Sequence, residues 1–200
     1  KAGIKTCVTL DFGVGYTEKG AEVAGTVTQN AVAAARVFAS KAVVKTGKAH
    51  AIAANAGCAN ACTGEQGDKD ARAMQSITAE ALGCQADDVI VASTGVIGVN
   101  LPMDKMEKGL KQAAASLSDN GSEKAGNAII TTDTYSKACA TEITLGGKKV
   151  RFGAIGKGSG MIQPNMATML CFITTDAAID SKLLQAALSE VVEVSFNMIS

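Results

Sequence analysis

Apolar residues recur along the chain in two rhythms, and the rhythms alternate. In "GDKDARAMQSITAEALG", residues 67–83, Ala71, Met74, Ile77 and Leu82 fall on one side of a 3.6-residue turn. Asp68 or Asp70 is the expected cap and Gly83 the stop. "DKMEKGLKQAAASLS" (104–118) repeats the pattern with Met106, Leu110 and Leu117. A third helix is predicted over "DSKLLQAALSEVVEVSFNM" (180–198), capped by Asp180 or Ser181. Shorter runs predict strands. "EVAGTVT" (22–28), "ARVFASK" (35–41), "HAIAANAG" (50–57), "DDVIVAST" (87–94), "NAIITTDT" (127–134) and "TMLCFITTD" (168–176) are short, apolar and bounded by small or polar residues. "ATEITLGGKKVRFGAIGKG" (140–158) predicts a hairpin turning at Gly146-Gly147, which supply the positive φ angles of a tight turn. Strands grouped with helices outside them point to a layered α/β or α+β sandwich.

Composition narrows the class. The chain has 200 residues, enough for one core, and 47% of them are hydrophobic, which excludes a disordered chain. Lys plus Arg and Asp plus Glu number 19 each, a balance that argues against a nucleic-acid footprint or a polybasic membrane surface. Charged residues interrupt every long apolar stretch, which argues against a membrane span. "KAGIKTCVTLDFG" contains no apolar signal-peptide region. The first residue is not Met and "SEVVEVSFNMIS" ends in mid-pattern, so a fragment or processed form is expected. Six cysteines (7, 58, 62, 84, 139 and 171) form no CxxC pair, and His50 is the single histidine, an unpromising set for zinc. Their expected state is the reduced thiol, several of them in the core, in an intracellular compartment.

Two familiar signatures fail. In "DFGVGYTEKG" Glu18 stands where a dinucleotide fingerprint needs its third glycine, and in "GAIGKGSG" Gly158 stands where a phosphate loop needs Ser or Thr. One histidine leaves no Ser-His-Asp triad within this chain. Two other stretches carry candidate chemistry. "ASTGVIGVNLPM" (92–103) brings Thr94 and Gly95 to the end of a buried strand, where a turn or a ligand contact is expected. "KGSGMIQPNMATMLCF" (157–172) places a lone Lys157 in a glycine-rich stretch, then Pro164, Asn165 and Ala167 ahead of Thr168. Thr168 is either a β-branched residue opening a strand or a nucleophile. Attack of its hydroxyl on the Ala167 carbonyl, followed by ester hydrolysis, would expose an α-amine, with an ordinary pKa of about 7.7–8.0, as a base that replaces histidine.

"NAGCANACTG", "VASTGVIGVNLPM", "IITTDT" and "AIGKGSGMIQPNMATMLCFITTD", long and in one order, resemble the ornithine acetyltransferase (glutamate N-acetyltransferase) family from about Ala2 to the end. Ala56 and Cys58 stand where the family pattern has Ser and Asn. The resemblance implies a layered α-β-β-α sandwich, similar to N-terminal-nucleophile hydrolases but differently connected. It implies one catalytic domain over 1–200, with self-cleavage between Ala167 and Thr168. Residues 1–167 would be the α chain and 168–200 the start of a β chain, two of each assembling as a heterotetramer. Matched by position, Thr94 and Gly95 take the oxyanion-hole role, Thr131, Lys157 and Thr168 bind substrate, and Thr168 is also the nucleophile. The implied reaction of arginine biosynthesis moves acetyl from N-acetylornithine to glutamate. It uses no metal or organic cofactor, although acetyl-CoA is possible as a donor in a bifunctional enzyme. The implied location is cytoplasmic, or mitochondrial in a eukaryote. Two other readings stay open: an amidase or aminopeptidase that passes the acyl group to water, and a catalytically silent homologue.

Overall fold

The computed structural model describes residues 1–5, 9–159 and 169–199. Six strands form two three-stranded sheets among these residues. The first joins β1 (Phe12–Glu22), β2 (Lys48–Cys58) and β3 (Val89–Val96) in that order, and the second joins β4 (Lys137–Leu145), β5 (Lys148–Lys157) and β6 (Leu170–Thr175). β2 pairs antiparallel with β1 and parallel with β3; every pairing in the second sheet is antiparallel. Between β2 and β3 runs α2 (Gly64–Leu82), the long crossover that a parallel pair requires.

The period-two alternation of β2 and β3 separates two cores. Ala51, Ala53, Val89 and Val91 face Met74 and Ala79 of α2 and Met106 and Leu110 of α3 (Met103–Ala115). Ala54 and Ala92 turn the other way, onto Ile129 of α4 (Ser122–Ile129) and onto Ile155, Leu170 and Phe172 of the second sheet. Helices, first sheet and second sheet are thus layered, as the sequence predicted for a mixed α/β sandwich. The small alanines on the strands let the sheets and α2 approach closely. β3 is an edge strand in its sheet, and α1 (Ala35–Thr46) protects that edge. The Ser40 hydroxyl donates to the Val91 carbonyl at 2.6 Å and accepts from the Val91 amide at 2.9 Å, while Gln75 donates to the Val89 carbonyl at 2.8 Å.

Several expectations hold. α2 stops at Gly83 with φ +72°, the hairpin turns at Gly146 (φ +54°) and Gly147 (φ +78°), and Asp180 accepts from the amides of Lys182 and Leu183 to cap α5 (Ser181–Glu193). Others do not. Residues 35–41 are helical: Ser40 and Val43 form the buried stripe, and Phe38, which suggested a strand, is 58% exposed. Residues 22–28 lie almost wholly beyond β1, which takes in Phe12–Glu22 despite three glycines and three charged residues. Asn127, Ala128 and Ile129 of the "NAII" run end α4 and Ile130 is its extended C-cap, since three apolar residues suit either element and contact of Ile129 with residues of both sheets decides. α2 begins at Gly64, so neither Asp68 nor Asp70 caps it; Asp70 is buried and accepts from Gln66 at 2.7 Å. Of the five described cysteines, all free, Cys58 alone is buried, whereas Cys62 and Cys139 are exposed. No helix among the described residues is long and apolar enough to cross a membrane.

Candidate active site

β3 and β5 belong to different sheets, and their ends meet where the sheets face each other. Thr94, near the end of β3, is 7% exposed; Lys157, the last residue of β5, is 4% exposed. The Lys157 ammonium donates to the Thr94 hydroxyl at 3.1 Å and to the Thr131 hydroxyl at 2.7 Å. Three of the residues singled out from sequence therefore converge on one point. Lys157 is not in a compliant loop, as its glycine neighbours suggested, but is the end of a hydrogen-bonded strand with Leu170 opposite it. Thr94 already accepts from an ammonium, which leaves its own hydroxyl hydrogen uncommitted among the described residues and able to point at a ligand.

Gly95 follows with φ +131°, and a Cβ placed there would lie 2.3 Å from the Gly57 carbonyl carbon and 2.7 Å from the Cys58 amide nitrogen. Glycine is needed because β2 and β3 approach each other closely at their irregular ends, where Gly57 pairs with Gly95. The two departures from the family pattern sit nearby. Ala56 is fully buried, and the Cys58 thiol donates to the Val99 carbonyl at 3.1 Å. Ala167 and Thr168 lie outside the described residues.

Three charged residues that sequence reasoning passed over surround this point. Asp133, whose side chain is inaccessible to solvent, accepts from Lys137 at 2.7 Å, from the Gly158 amide at 2.8 Å and from the Thr131 amide at 3.4 Å. Its second oxygen lies 4.0 Å from the Lys157 ammonium. Burial pushes the Asp133 carboxyl up, but the Lys137 ammonium and the two amides outweigh burial and hold it below the ordinary carboxylate value. Burial pulls the Lys157 ammonium down; Asp133 opposes that shift, while Lys137 and Arg36 add to it. Arg36, on the first turn of α1, donates to the Ala59 carbonyl just past the end of β2, and burial lowers its pKa to about 10. Asp133 was visible as part of "TTDT", but a strand reading gave it no partner. Lys137 and Arg36 carried no sequence signal, because only the fold brings them to the strand ends. The result is a cluster of three cations around one carboxylate. Such a surplus of positive charge suits a ligand carboxylate, and the Thr94 hydroxyl suits an oxygen on which charge develops.

The ArgJ family model matches residues 1–200 throughout. The chain belongs to the ArgJ family. It is 53% identical over 177 residues, 88% of its length, to the arginine biosynthesis bifunctional protein ArgJ of Symbiobacterium thermophilum, of which it covers 44%. With the protein of the same name from Caldanaerobacter subterraneus subsp. tengcongensis it shares 47% identity over 199 residues, covering 49% of that relative. The chain thus spans about half the length of these relatives. Among solved structures, the Bacillus halodurans ArgJ crystal structure superposes with a TM-score of 0.76 at 37% identity, covering 84% of this chain and 87% of that one. Mycobacterium tuberculosis ornithine acetyltransferase, solved with ornithine, gives 0.73 at 33% identity, covering 84% and 89%. These matches bear out the family resemblance and the fold class read from the sequence.

Proposed function

We propose that this chain supplies the acetyl-transfer site of an arginine-biosynthetic enzyme, moving acetyl from N-acetylornithine to glutamate. The observation that carries this reading is the meeting of Thr94, Thr131 and Lys157 at the strand ends, in a chain about half identical to ArgJ proteins. Thr168 is the nucleophile. In maturation its hydroxyl attacks the Ala167 carbonyl carbon and the peptide C–N bond breaks. Water then hydrolyses the ester, leaving the Ala167 carboxylate and the Thr168 α-amine. In transfer, the hydroxyl attacks the acetyl carbonyl of N-acetylornithine while the α-amine takes its proton and passes it to the departing ornithine amine. The acetyl-Thr168 ester is then attacked by the amine of glutamate, and N-acetylglutamate leaves. Splitting one amide exchange into two ester steps lowers each barrier. Thr94 and the Gly95 amide stabilise the oxyanion in both halves. Lys157, Thr131 and Thr168 hold the substrate, Lys157 facing its carboxylate. No metal or organic cofactor enters this scheme, and acetyl-CoA is an alternative donor. The free cysteines fit a cytoplasmic setting.

Residues 1–167 become the α chain and 168–200 open the β chain. β5 and β6 lie on opposite sides of that bond and pair antiparallel from Phe152 opposite Thr175 to Lys157 opposite Leu170. Cleavage therefore leaves the new chain hydrogen-bonded to the old one, which accounts for their staying together. The outward face of β4–β6 carries Ile143, Leu145 and Ile173, 40, 54 and 49% exposed, a surface suited to further β-chain residues and to assembly of two α and two β chains.

Mass spectrometry of the full-length precursor tests the reading. A fragment beginning at Thr168 is expected, as is its loss, together with loss of transfer, in Thr168→Ala. If Thr168→Ala still splits after residue 167, the assignment of the nucleophile fails. Acetate released as fast without glutamate as acetyl is transferred with it would make the protein a hydrolase.

A further inference from the structure

Among the described residues Asp133 contacts neither the Thr94 hydroxyl nor the Gly95 amide, yet it ties together the parts that surround them. Its Oδ1 accepts from the Gly158 amide and the Lys137 ammonium, and its Oδ2 from the Thr131 amide. One carboxylate thus joins the exit of β5, the start of β4 and the residue whose hydroxyl receives Lys157. We propose that Asp133 is a positioning residue that keeps Lys157 an ammonium donor to Thr94 and Thr131, and so keeps the Thr94 hydroxyl hydrogen turned toward the ligand. This rests on the acetyl-transfer reading for its purpose but not for its physics.

The hydrogen-bond count supplies the reason. An ammonium has three hydrogens and no lone pair, so the Thr94 and Thr131 oxygens can only accept from it. A neutral amine has a lone pair, and a threonine hydroxyl beside it can turn inward to donate. Thr94 would then lose the hydrogen that an oxyanion needs. Burial drives Lys157 toward the neutral form. The groups facing it are Asp133 beside the β5 exit, Lys137 at the start of β4 and Arg36 on α1; the two cations push the same way as burial, and Asp133 opposes them. Without Asp133 the cluster would be three cations with no counter-charge among the described residues named here.

The test is an NMR titration of lysine Cε resonances in the intact protein, with Lys157 assigned as the signal lost in Lys157→Met. Asp133→Asn is expected to move the Lys157 midpoint to lower pH, because it removes the one group that favours the charge. Lys137→Met is expected to move it to higher pH, because it removes a competing cation. A role in packing alone predicts no such pair of opposite shifts. Unchanged midpoints, or shifts of the same sign, overturn the proposal; if Asp133→Asn does not fold, the direction of the Lys137→Met shift decides. In the transferase assay the alkaline limb of kcat should move in the same direction as each midpoint. Absent transfer with the expected titrations would overturn the acetyl-transfer reading and support the electrostatic assignment. Active transfer with an unmoved midpoint in Asp133→Asn would do the reverse.

Discussion

Gly95→Ala separates a structural demand from a chemical one, and its cost follows from coordinates. The added Cβ would lie 2.3 Å from the Gly57 carbonyl carbon, 2.6 Å from its oxygen and 2.7 Å from the Cys58 nitrogen. All three are backbone atoms of the neighbouring strand, so no side chain can swing aside. Holding alanine at φ +131° costs about 1–3 kcal/mol. Forcing the strand ends apart adds about 1–3 kcal/mol of overpacking. The sum, roughly 2–6 kcal/mol, is a large share of the ~5–15 kcal/mol that stabilises an ordinary protein. For a chain of this size about 2–4 °C is lost per kcal/mol, so Tm should fall by at least about 4 °C. Gly15→Ala is the internal control. Its Cβ meets nothing within 4 Å and its φ is not positive, so Tm should hold or rise slightly. Differential scanning calorimetry of the two variants beside the parent reads the contrast. Equal melting of Gly95→Ala and the parent would refute the argument that close strand approach, and not only an oxyanion role, requires glycine here.

Thr94→Ala should lower kcat by about 10²–10³ with a small change in KM, because the oxyanion exists only in the transition state; steady-state kinetics with matched thermal melts distinguishes this from simple loss of stability. Ser40→Ala strips the partners from both backbone groups of Val91 and should cost about 2 kcal/mol or more in urea unfolding, with amide exchange rising at β3 before it rises at β2. Lys157 has a folded-state pKa below its ordinary value of 10.5, so between the two the unfolded chain binds more protons and the stability of the parent rises with pH. Lys157→Met removes that term, and unfolding free energies measured from neutral to alkaline pH should show the parent gaining on the variant. Asp133 has the opposite sign: its lowered pKa contributes stability that is present above the ordinary value of 3.8 and lost as pH falls through its folded value, so Asp133→Asn should flatten the acid limb of the same curve.

Local pattern alone determined the elements whose periodicity is long or whose turn residues are unambiguous. α2 and α3 follow from apolar residues at helical spacing, the β4–β5 turn from Gly146-Gly147, and the cap of α5 from Asp180. The family resemblance named Thr94, Gly95, Thr131, Lys157 and Thr168 as one candidate set, of which Thr94, Thr131 and Lys157 meet in the structure and Thr168 lies outside the described residues. Tertiary structure decided what short apolar runs could not. α1 is a helix because Ser40 and Val43 must face β3, and "NAII" ends a helix because Ile129 fills the gap between two sheets. The electrostatics of the site were likewise out of reach of sequence. Arg36 lies on α1, Asp133 between α4 and β4 and Lys137 at the start of β4, and the shifts of Asp133, Lys157 and Arg36 come only from burial and neighbours that the folded chain supplies. The sequence named the hydroxyls and the lysine; packing the two sheets face to face buried that lysine and surrounded it with charge.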